Sequence, residues 1–313
     1  MNSKKHQMKY LTILMGLAIT LLCSSVNAAE KNIQIVTTIT DLKVLAERIG
    51  GNHVSVISLT RGNQDPHHVQ IKPSDILKVK KADILIINGL GIDDWINPLI
   101  NKSRNNRIRS GTPGYINAST AVSILDIPKG KVDRSSGDIH LHGNPHYNLS
   151  PTEMRKVVLL ISKRLSSQYP LLANDFSRNT KDYLNTLDQK ILTWKNRMKP
   201  FSKTRIVTFH NGWQYFFKEF GLESGGYMEP KPGVSPSPKH INTLIQRIKE
   251  SHTLLLFKEP YFPESIPNKL ASQSKIKVSN VPSYVGGVSS VNSYIELIDY
   301  ITSQFNPAEQ KEN

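Results

Sequence analysis

Three histidines of this chain occur in sequence contexts that suit metal binding. His67 follows Pro66 in a loop, and His146 follows Pro145 just before a predicted helix. His210 ends a predicted strand. Neutral imidazole is the commonest side-chain ligand of zinc and suits other transition metals, and a neighbouring proline stiffens the backbone that presents it. A single loop histidine is more often solvated, but the shared placement of these three makes them candidate ligands.

Other histidines offer alternatives. His68 stands next to His67 and is the residue that could replace it as a ligand. His140 and His142 lie two positions apart in a loop. Short histidine tracts collect metal in some proteins and are simply solvated in others, so the sequence leaves the role of these two residues open.

A three-histidine zinc site with an open fourth position is also the arrangement by which zinc enzymes activate water. The chain contains neither the His-Glu-x-x-His nor the Gly-x-Ser-x-Gly pattern, which supply a base or a nucleophile in known enzymes. We therefore expect that the protein is not an enzyme. An exported zinc-dependent hydrolase and a surface adhesin remain as alternatives to metal capture.

The hydrophobic pattern alternates between strand-like and helix-like segments and shows no internal repeat. Apolar or β-branched runs predict strands at residues 33–39, 53–59, 83–88, 205–210 and 253–257. Helical spacing predicts helices at residues 42–49, from 73 onward, and at 151–167, 171–198, 213–220, 238–249 and 291–305. This alternation predicts an α/β fold, in which the carboxyl ends of the strands and the loops after them form the ligand crevice.

One predicted helix is much longer than the others. Residues 171–198 contain neither Pro nor Gly, and Pro200 ends the segment. At 1.5 Å per residue the helix would be about 42 Å long, enough to join two lobes. We therefore divide the chain into a signal peptide at residues 1–28, an N-terminal α/β lobe at 29–170, a linking helix at 171–199 and a C-terminal α/β lobe at 200–313.

The N-terminus has the features of a secretory signal peptide. A lysine-rich stretch precedes an apolar run that is too short to span a bilayer, and small residues end at Ala28. Cleavage after Ala28 predicts an exported, periplasmic protein without cysteine. A lipoprotein attached through Cys23 is our second choice, because Leu22 stands where a lipidation site usually has a small residue.

The chain is strongly basic, with a formal net charge of +15. Such a charge can indicate binding to nucleic acid or to a membrane surface. The basic residues are scattered, however, and no aromatic side chains are interleaved with them. We interpret the charge as a solvated basic surface and expect no nucleic-acid partner.

Four stretches, taken together and in this order, resemble the metal-binding subfamily of ABC-importer substrate-binding proteins, the periplasmic zinc- and manganese-binding receptors. They are residues 66–75, 144–151, 209–216 and 229–260. The resemblance spans nearly the whole mature chain. It implies two α/β lobes joined by one long rigid helix, with the metal site between the lobes.

The resemblance also implies a function and a ligand set. The protein would be a high-affinity receptor that binds a divalent metal through His67 and His146 of the N-terminal lobe and His210 of the C-terminal lobe. It would deliver the metal to the membrane permease subunits of an ABC importer, and we expect a monomer. Three neutral nitrogens favour Zn²⁺ over Mn²⁺, which prefers oxygen, with a manganese or iron receptor of the same family as the alternative.

The chain departs from the family at one position. The family usually places an aspartate ligand in a loop before the last helix, whereas residues 281–287 of this chain contain no acid. Water, Glu259 or a loop histidine could serve as the fourth ligand. We favour water, because Glu259 stands in a Glu-Pro turn that the family also has when its aspartate is present.

Overall fold

The computed structural model describes residues 32–128, 140–231, 233–251 and 253–305. The predicted signal peptide, with Cys23 and Ala28, lies outside the described residues. Among the described residues, the strands are β1 Ile33–Thr37, β2 Val54–Ser58, β3 Ile84–Ile87, β4 Tyr115–Asn117, β5 Arg205–Thr208, β6 Glu223–Tyr227, β7 Thr253–Lys258 and β8 Lys277–Asn280. The α-helices there are α1 Thr40–Gly50, α2 Pro73–Lys81, α3 Ile96–Ser103, α4 Pro151–Gln168, α5 Ala173–Met198, α6 Gln214–Phe220, α7 Pro238–Glu250, α8 Ser265–Ser274 and α9 Tyr294–Ser303.

Two parallel four-stranded sheets form the frame. The first has the order β2-β1-β3-β4 and the second the order β6-β5-β7-β8. Strands β3 and β7 are buried along their whole length, as expected of central parallel strands covered on both faces. The two sheets thus share one strand order although the sequence shows no internal repeat, and the predicted two α/β lobes are confirmed.

The long helix α5 contacts both parts of the fold. It packs against α1 and α4, which follow the first sheet's strands in the chain, and against the last helix, α9. Its buried face includes Leu187 and Trp194, and the Trp194 indole nitrogen donates to an Asp299 oxygen at 2.8 Å. Because one hydrophobic cluster runs from β1 and β3 through α5 to β5 and β7, the two sheets share a core.

The sequence locates the central strands, the long helices and one edge strand, β2, but not the other edges. The pattern predicts neither β4, β6 nor β8, which are edge strands in their sheets. It also does not predict α3 and α8, which cover the outer faces of the sheets. The predicted strand at 205–210 ends at Thr208, so His210 lies in the loop that follows the strand.

Among the described residues, no helix combines the length and the apolar character that a membrane crossing requires.

Candidate metal centre

The structure brings the three predicted histidines together. His67 lies in the loop after β2, His146 in the segment before α4, and His210 just beyond the carboxyl end of β5. One ligand atom from each lies within 4.8 Å of the others, and the ring centroids are 5.2–5.3 Å apart. These distances place three imidazoles around one point at which an ion could be held.

His67 is fixed by the acid two residues before it. Asp65 Oδ1 accepts from the backbone N–H of His67 at 2.9 Å and lies 2.8 Å from Nδ1 of the ring. Burial opposes ionisation of Asp65, but the hydrogen bonds from His67 help to outweigh burial, and the pKa of the carboxyl is lowered. The loop itself is anchored by Trp95, whose indole N–H donates to the Pro66 carbonyl at 3.0 Å.

His210 is fixed by Glu229, which follows β6. The Nδ1 atom of His210 lies 3.0 Å from Glu229 Oε2. The backbone N–H of Glu229 donates to the Phe209 carbonyl at 3.1 Å, so the acid and the histidine are held by adjacent backbone. The Thr208 hydroxyl donates to the His210 carbonyl at 2.7 Å and shapes the turn out of the strand.

His146 is the most deeply buried of the three. Its backbone N–H donates to Asn144 Oδ1 at 3.0 Å, and its Nδ1 lies 3.3 Å from the Tyr284 hydroxyl oxygen. Its Nε2 is buried and has no hydrogen-bond partner in the protein. Burial first, and then the neighbouring His67 and His210, lower the pKa of His146 well below its usual value, so the ring is neutral and able to bind a cation.

A glycine makes room between two of the rings. A Cβ atom on Gly212 would lie 3.3 Å from the rings of both His146 and His210, closer than most real contacts of that atom. Residue 212 therefore has to be small for the imidazoles of His146 and His210 to approach each other.

The three rings share one hydrogen-bonding arrangement. Each Nδ1 faces an oxygen atom, from Asp65, Glu229 or Tyr284. A neutral imidazole that donates from Nδ1 has its lone pair on Nε2, and metal-binding histidines are commonly oriented in this way. The Asp65 and Glu229 carboxylates can only accept, so His67 and His210 present Nε2 lone pairs, while the Tyr284 hydroxyl can accept from or donate to Nδ1 of His146. The sequence pattern does not reveal these oxygen partners, although Asp65 stands only two positions before His67.

His140 stands beside His67 but is not one of the three described histidines whose ligand atoms converge. Its Nε2 lies 3.1 Å from Nε2 of His67, and the two ring centroids are 5.1 Å apart. Burial lowers the pKa of His140 to about 3, so this ring too is neutral. His142, by contrast, is exposed.

Glu259 lies elsewhere in the C-terminal part of the fold. Its Oε1 accepts from the Trp213 indole at 2.8 Å, while Oε2 is buried without a hydrogen-bond partner in the protein. Burial raises the pKa of Glu259 to about 8. In the described part of the chain, Glu259 is not among the side chains that converge with His67, His146 and His210. Trp213 and Tyr215 are buried core residues.

The model of the ZnuA family, described as zinc-uptake complex component A, periplasmic, matches residues 35–308. The match therefore includes both sheets and all three candidate ligands.

Similar curated proteins are substrate-binding lipoproteins of ABC transporters. A manganese ABC transporter substrate-binding lipoprotein, PsaA of Streptococcus mitis, is 25% identical over 259 residues, which cover 82% of this chain and 80% of the relative. The metal ABC transporter substrate-binding lipoprotein SloC of Streptococcus mutans is 26% identical over 258 residues, covering 80% and 82%.

Solved structures share the fold. A crystal structure of ZnuA superimposes with a TM-score of 0.74 at 20% identity and covers 88% of this chain and 98% of that one. The substrate-binding protein FpvC of Pseudomonas aeruginosa, in complex with Mn²⁺, gives a TM-score of 0.73 at 24% identity and covers 90% and 100%.

Proposed function

The chain belongs to the ZnuA family of metal-binding substrate-binding proteins of ABC transporters, and from this premise we propose that it is an exported receptor that captures Zn²⁺. Substrate-binding proteins of ABC importers bind the transported substrate and work with membrane permease subunits. The receptor would transfer its bound ion to these permease subunits on the outer side of the membrane. The N-terminal sequence supports export with cleavage after Ala28, and we propose that the mature protein acts in the periplasm as a monomer.

The metal ligands in this proposal are Nε2 atoms of His67, His146 and His210. The observation that carries it is the common geometry of these rings, in which each Nδ1 faces an oxygen and one ligand atom of each ring lies within 4.8 Å of the others. The buried, unpartnered Nε2 of His146 supports it most directly, because a buried polar atom without a partner is costly unless a ligand satisfies it. The ion would join the loops of the first sheet, through His67 and His146, to the second sheet, through His210.

Zinc is the proposed metal because the converging ligands are neutral nitrogens. Imidazole suits Zn²⁺, whereas Mn²⁺ prefers carboxylate, carbonyl and water oxygens. In the described chain the nearby carboxylates of Asp65 and Glu229 are engaged with the Nδ1 atoms of His67 and His210. Manganese is kept as the alternative, because PsaA, at 25% identity, is named as a manganese protein.

The test is a chelator competition titration of purified mature protein with Zn²⁺ and with Mn²⁺. Replacing His67, His146 or His210 singly by Ala should weaken zinc binding at least about a hundredfold, or 2.7 kcal/mol, because each change removes one ligand. His142→Ala, which changes an exposed histidine, should leave the affinity unchanged. Unchanged zinc affinity in two of the three ligand variants, or tighter binding of Mn²⁺ than of Zn²⁺ by the natural chain, would contradict the proposal.

A further inference from the structure

A second cavity lies where three helices meet, and none of the residues that line it is a proposed metal ligand. Its volume is about 360 Å³, and it is lined by residues of α1 and α5 and by the start of α9. Pockets that bind small molecules usually have volumes of about 300–1,000 Å³. The cavity is therefore large enough to hold a small organic molecule.

Tyr183 of α5 gives the first indication of what the cavity could bind. Its hydroxyl is buried and has no hydrogen-bond partner in the described part of the protein. Burial raises the pKa of Tyr183 above its ordinary value, although the nearby Arg48 acts in the opposite direction. The phenol therefore keeps its proton at neutral pH and is a donor without an acceptor. Because such a group is costly to bury, it favours a ligand that supplies the missing acceptor.

Two opposite charges line the same cavity without neutralising each other. Within the described ranges, the side chains of Arg48 and Asp182 form neither a hydrogen bond nor an ion pair. Arg48 stands in the last turn of α1, where the helix dipole favours a positive charge. Asp182 stands inside α5, where the dipole offers no such explanation. A ligand that carries both charges would pair with each of these side chains.

The remaining polar groups extend this pattern of donors and acceptors. The Thr186 hydroxyl donates to the Asp182 carbonyl at 3.2 Å, so its lone pairs can accept from a ligand. The cavity thus offers donors from Arg48 and Tyr183 and acceptors from Asp182 and Thr186. Ile295 adds an apolar surface that is partly buried against the core.

We propose that this cavity binds a small zwitterion of the α-amino-acid class, as a site separate from the metal centre. The carboxylate of the ligand accepts from the Arg48 guanidinium and the Tyr183 hydroxyl, and its ammonium group donates to Asp182 and Thr186. Its side chain packs on Ile295. The bound molecule would join α1, the long helix α5 and the start of α9, and its binding goes beyond the capture of a metal ion.

The first experiment measures binding to the mature protein. Metal is removed with a chelator and the chelator by dialysis, because amino acids themselves bind zinc. Saturation-transfer NMR with each protein L-amino acid identifies those that bind, and calorimetric titration gives their affinities. At least one amino acid should bind saturably, whereas acetate and methylammonium, which carry one charge each, should bind about tenfold more weakly or less. Absence of saturable binding by every amino acid, or equal binding of acetate, would overturn the inference.

The second experiment assigns the binding to this cavity. Arg48→Gln, Asp182→Asn and Tyr183→Phe should each weaken binding of the selected amino acid about tenfold or more, because each removes a hydrogen bond to a charged group. Lys181→Gln is the matched control, since it removes a positive charge beside Asp182 from a residue that does not line the cavity. Equal losses in Lys181→Gln and Arg48→Gln, or unchanged affinity in Tyr183→Phe, would contradict the assignment.

Tyr183→Phe also separates a binding role from a structural one. In the ligand-free protein this change removes a buried hydroxyl that has no described partner, so urea unfolding should show a stability equal to or above that of the natural chain. A clear loss of stability would show that the hydroxyl is already satisfied without a ligand and would overturn the inference. The zinc affinity of Tyr183→Phe should stay within a few-fold of the natural value, so the outcome here is independent of the proposed function.

Discussion

At the scale of single residues, the site is made of three imidazole rings whose outer nitrogens each face an oxygen. Burial keeps the pKa of His146 and His140 below the ordinary value for histidine. A ring that is already neutral loses no proton when it binds a cation, so mild acid competes less with the metal at His146 than it would at an exposed histidine. The protein thus prepares part of its ligand set before the ion arrives.

Burial of Glu259 makes the free energy of unfolding depend on pH, and the metal-free protein should become less stable as the pH rises. Its folded pKa of about 8 lies above the ordinary 4.5, because burial penalises the carboxylate. The folded chain therefore keeps a proton that the unfolded chain releases, and the resulting stability is present below about pH 4.5 and is lost as the pH rises through about 8. Glu259→Gln resembles the protonated form and should lose less stability than the natural chain between about pH 5.5 and about pH 8.5.

Urea unfolding of both metal-free proteins at the two pH values measures this difference. The variant should also keep its zinc affinity within a few-fold at pH 7, because Glu259 bonds Trp213 and does not converge with the histidines. Parallel pH dependences would show that Glu259 is ionised in the fold, and a hundredfold loss of zinc affinity would make it a ligand.

The sequence predicts only those parts of the candidate site that depend on residues close to one another in the chain. A proline before a histidine and the end of a strand are features of a few neighbouring residues, and they single out His67, His146 and His210. The oxygen that faces His146 belongs to Tyr284, 138 positions away, and Glu229 follows His210 by 19 positions. Such pairs meet only through the fold, so the sequence pattern of a single chain does not reveal them.

At the scale of elements, the same contrast separates the central strands, together with the edge strand β2, from the other three edge strands of the two sheets. β3 and β7 are buried on both faces and therefore consist of continuous apolar runs that the sequence pattern detects. Edge strand β6 contains two adjacent glycines, and edge strand β4 is three residues long. Hydrogen bonds to a neighbouring strand, rather than apolar side chains, define these segments, so their sequences carry little signal.

The long helix α5 offers a prediction with an internal control. Leu187 is fully buried between the helices, whereas Leu192 on the same helix is 65% exposed. Leu187→Ala should lower the free energy of unfolding by about 2–5 kcal/mol, because it removes packed methyl groups and leaves a cavity. Leu192→Ala should change it by no more than about 0.5 kcal/mol. Urea titration of both variants measures the difference, and similar losses would show that α5 does not contribute its Leu187 face to the core.

At the scale of the whole molecule, the two sheets are tied together apart from any metal. A buried network of hydrogen bonds supplements the shared core. Asp41 of α1 accepts from the Val285 backbone N–H at 3.1 Å and from the Asn148 side chain at 3.2 Å. The same Asn148 amide donates to the Ser283 carbonyl at 2.7 Å, and Tyr294 of α9 donates to the Asn148 carbonyl at 2.8 Å. Separating the lobes would expose these groups, so large opening motions are disfavoured.

We therefore expect the mature protein to unfold as one unit. Scanning calorimetry of the metal-free protein should give a single transition whose calorimetric and van't Hoff enthalpies agree. Zn²⁺ should shift that whole transition to higher temperature, because it binds the folded state alone. Two separate transitions, with only one of them moved by Zn²⁺, would mean that the lobes fold independently and that the shared core contributes little coupling.

The hydrogen bond from Trp95 to Pro66 has an optical consequence. The Trp95 indole contacts Pro66, the residue before the proposed ligand His67, whereas Trp194 and Trp213 are fully buried in the core. Indole emission changes colour and intensity with the polarity and rigidity of its surroundings. A change in the His67 loop would therefore alter the fluorescence of Trp95, while the emission of Trp194 and Trp213 stays nearly constant. The fluorescence of Trp95 would thus report whether the metal site is occupied.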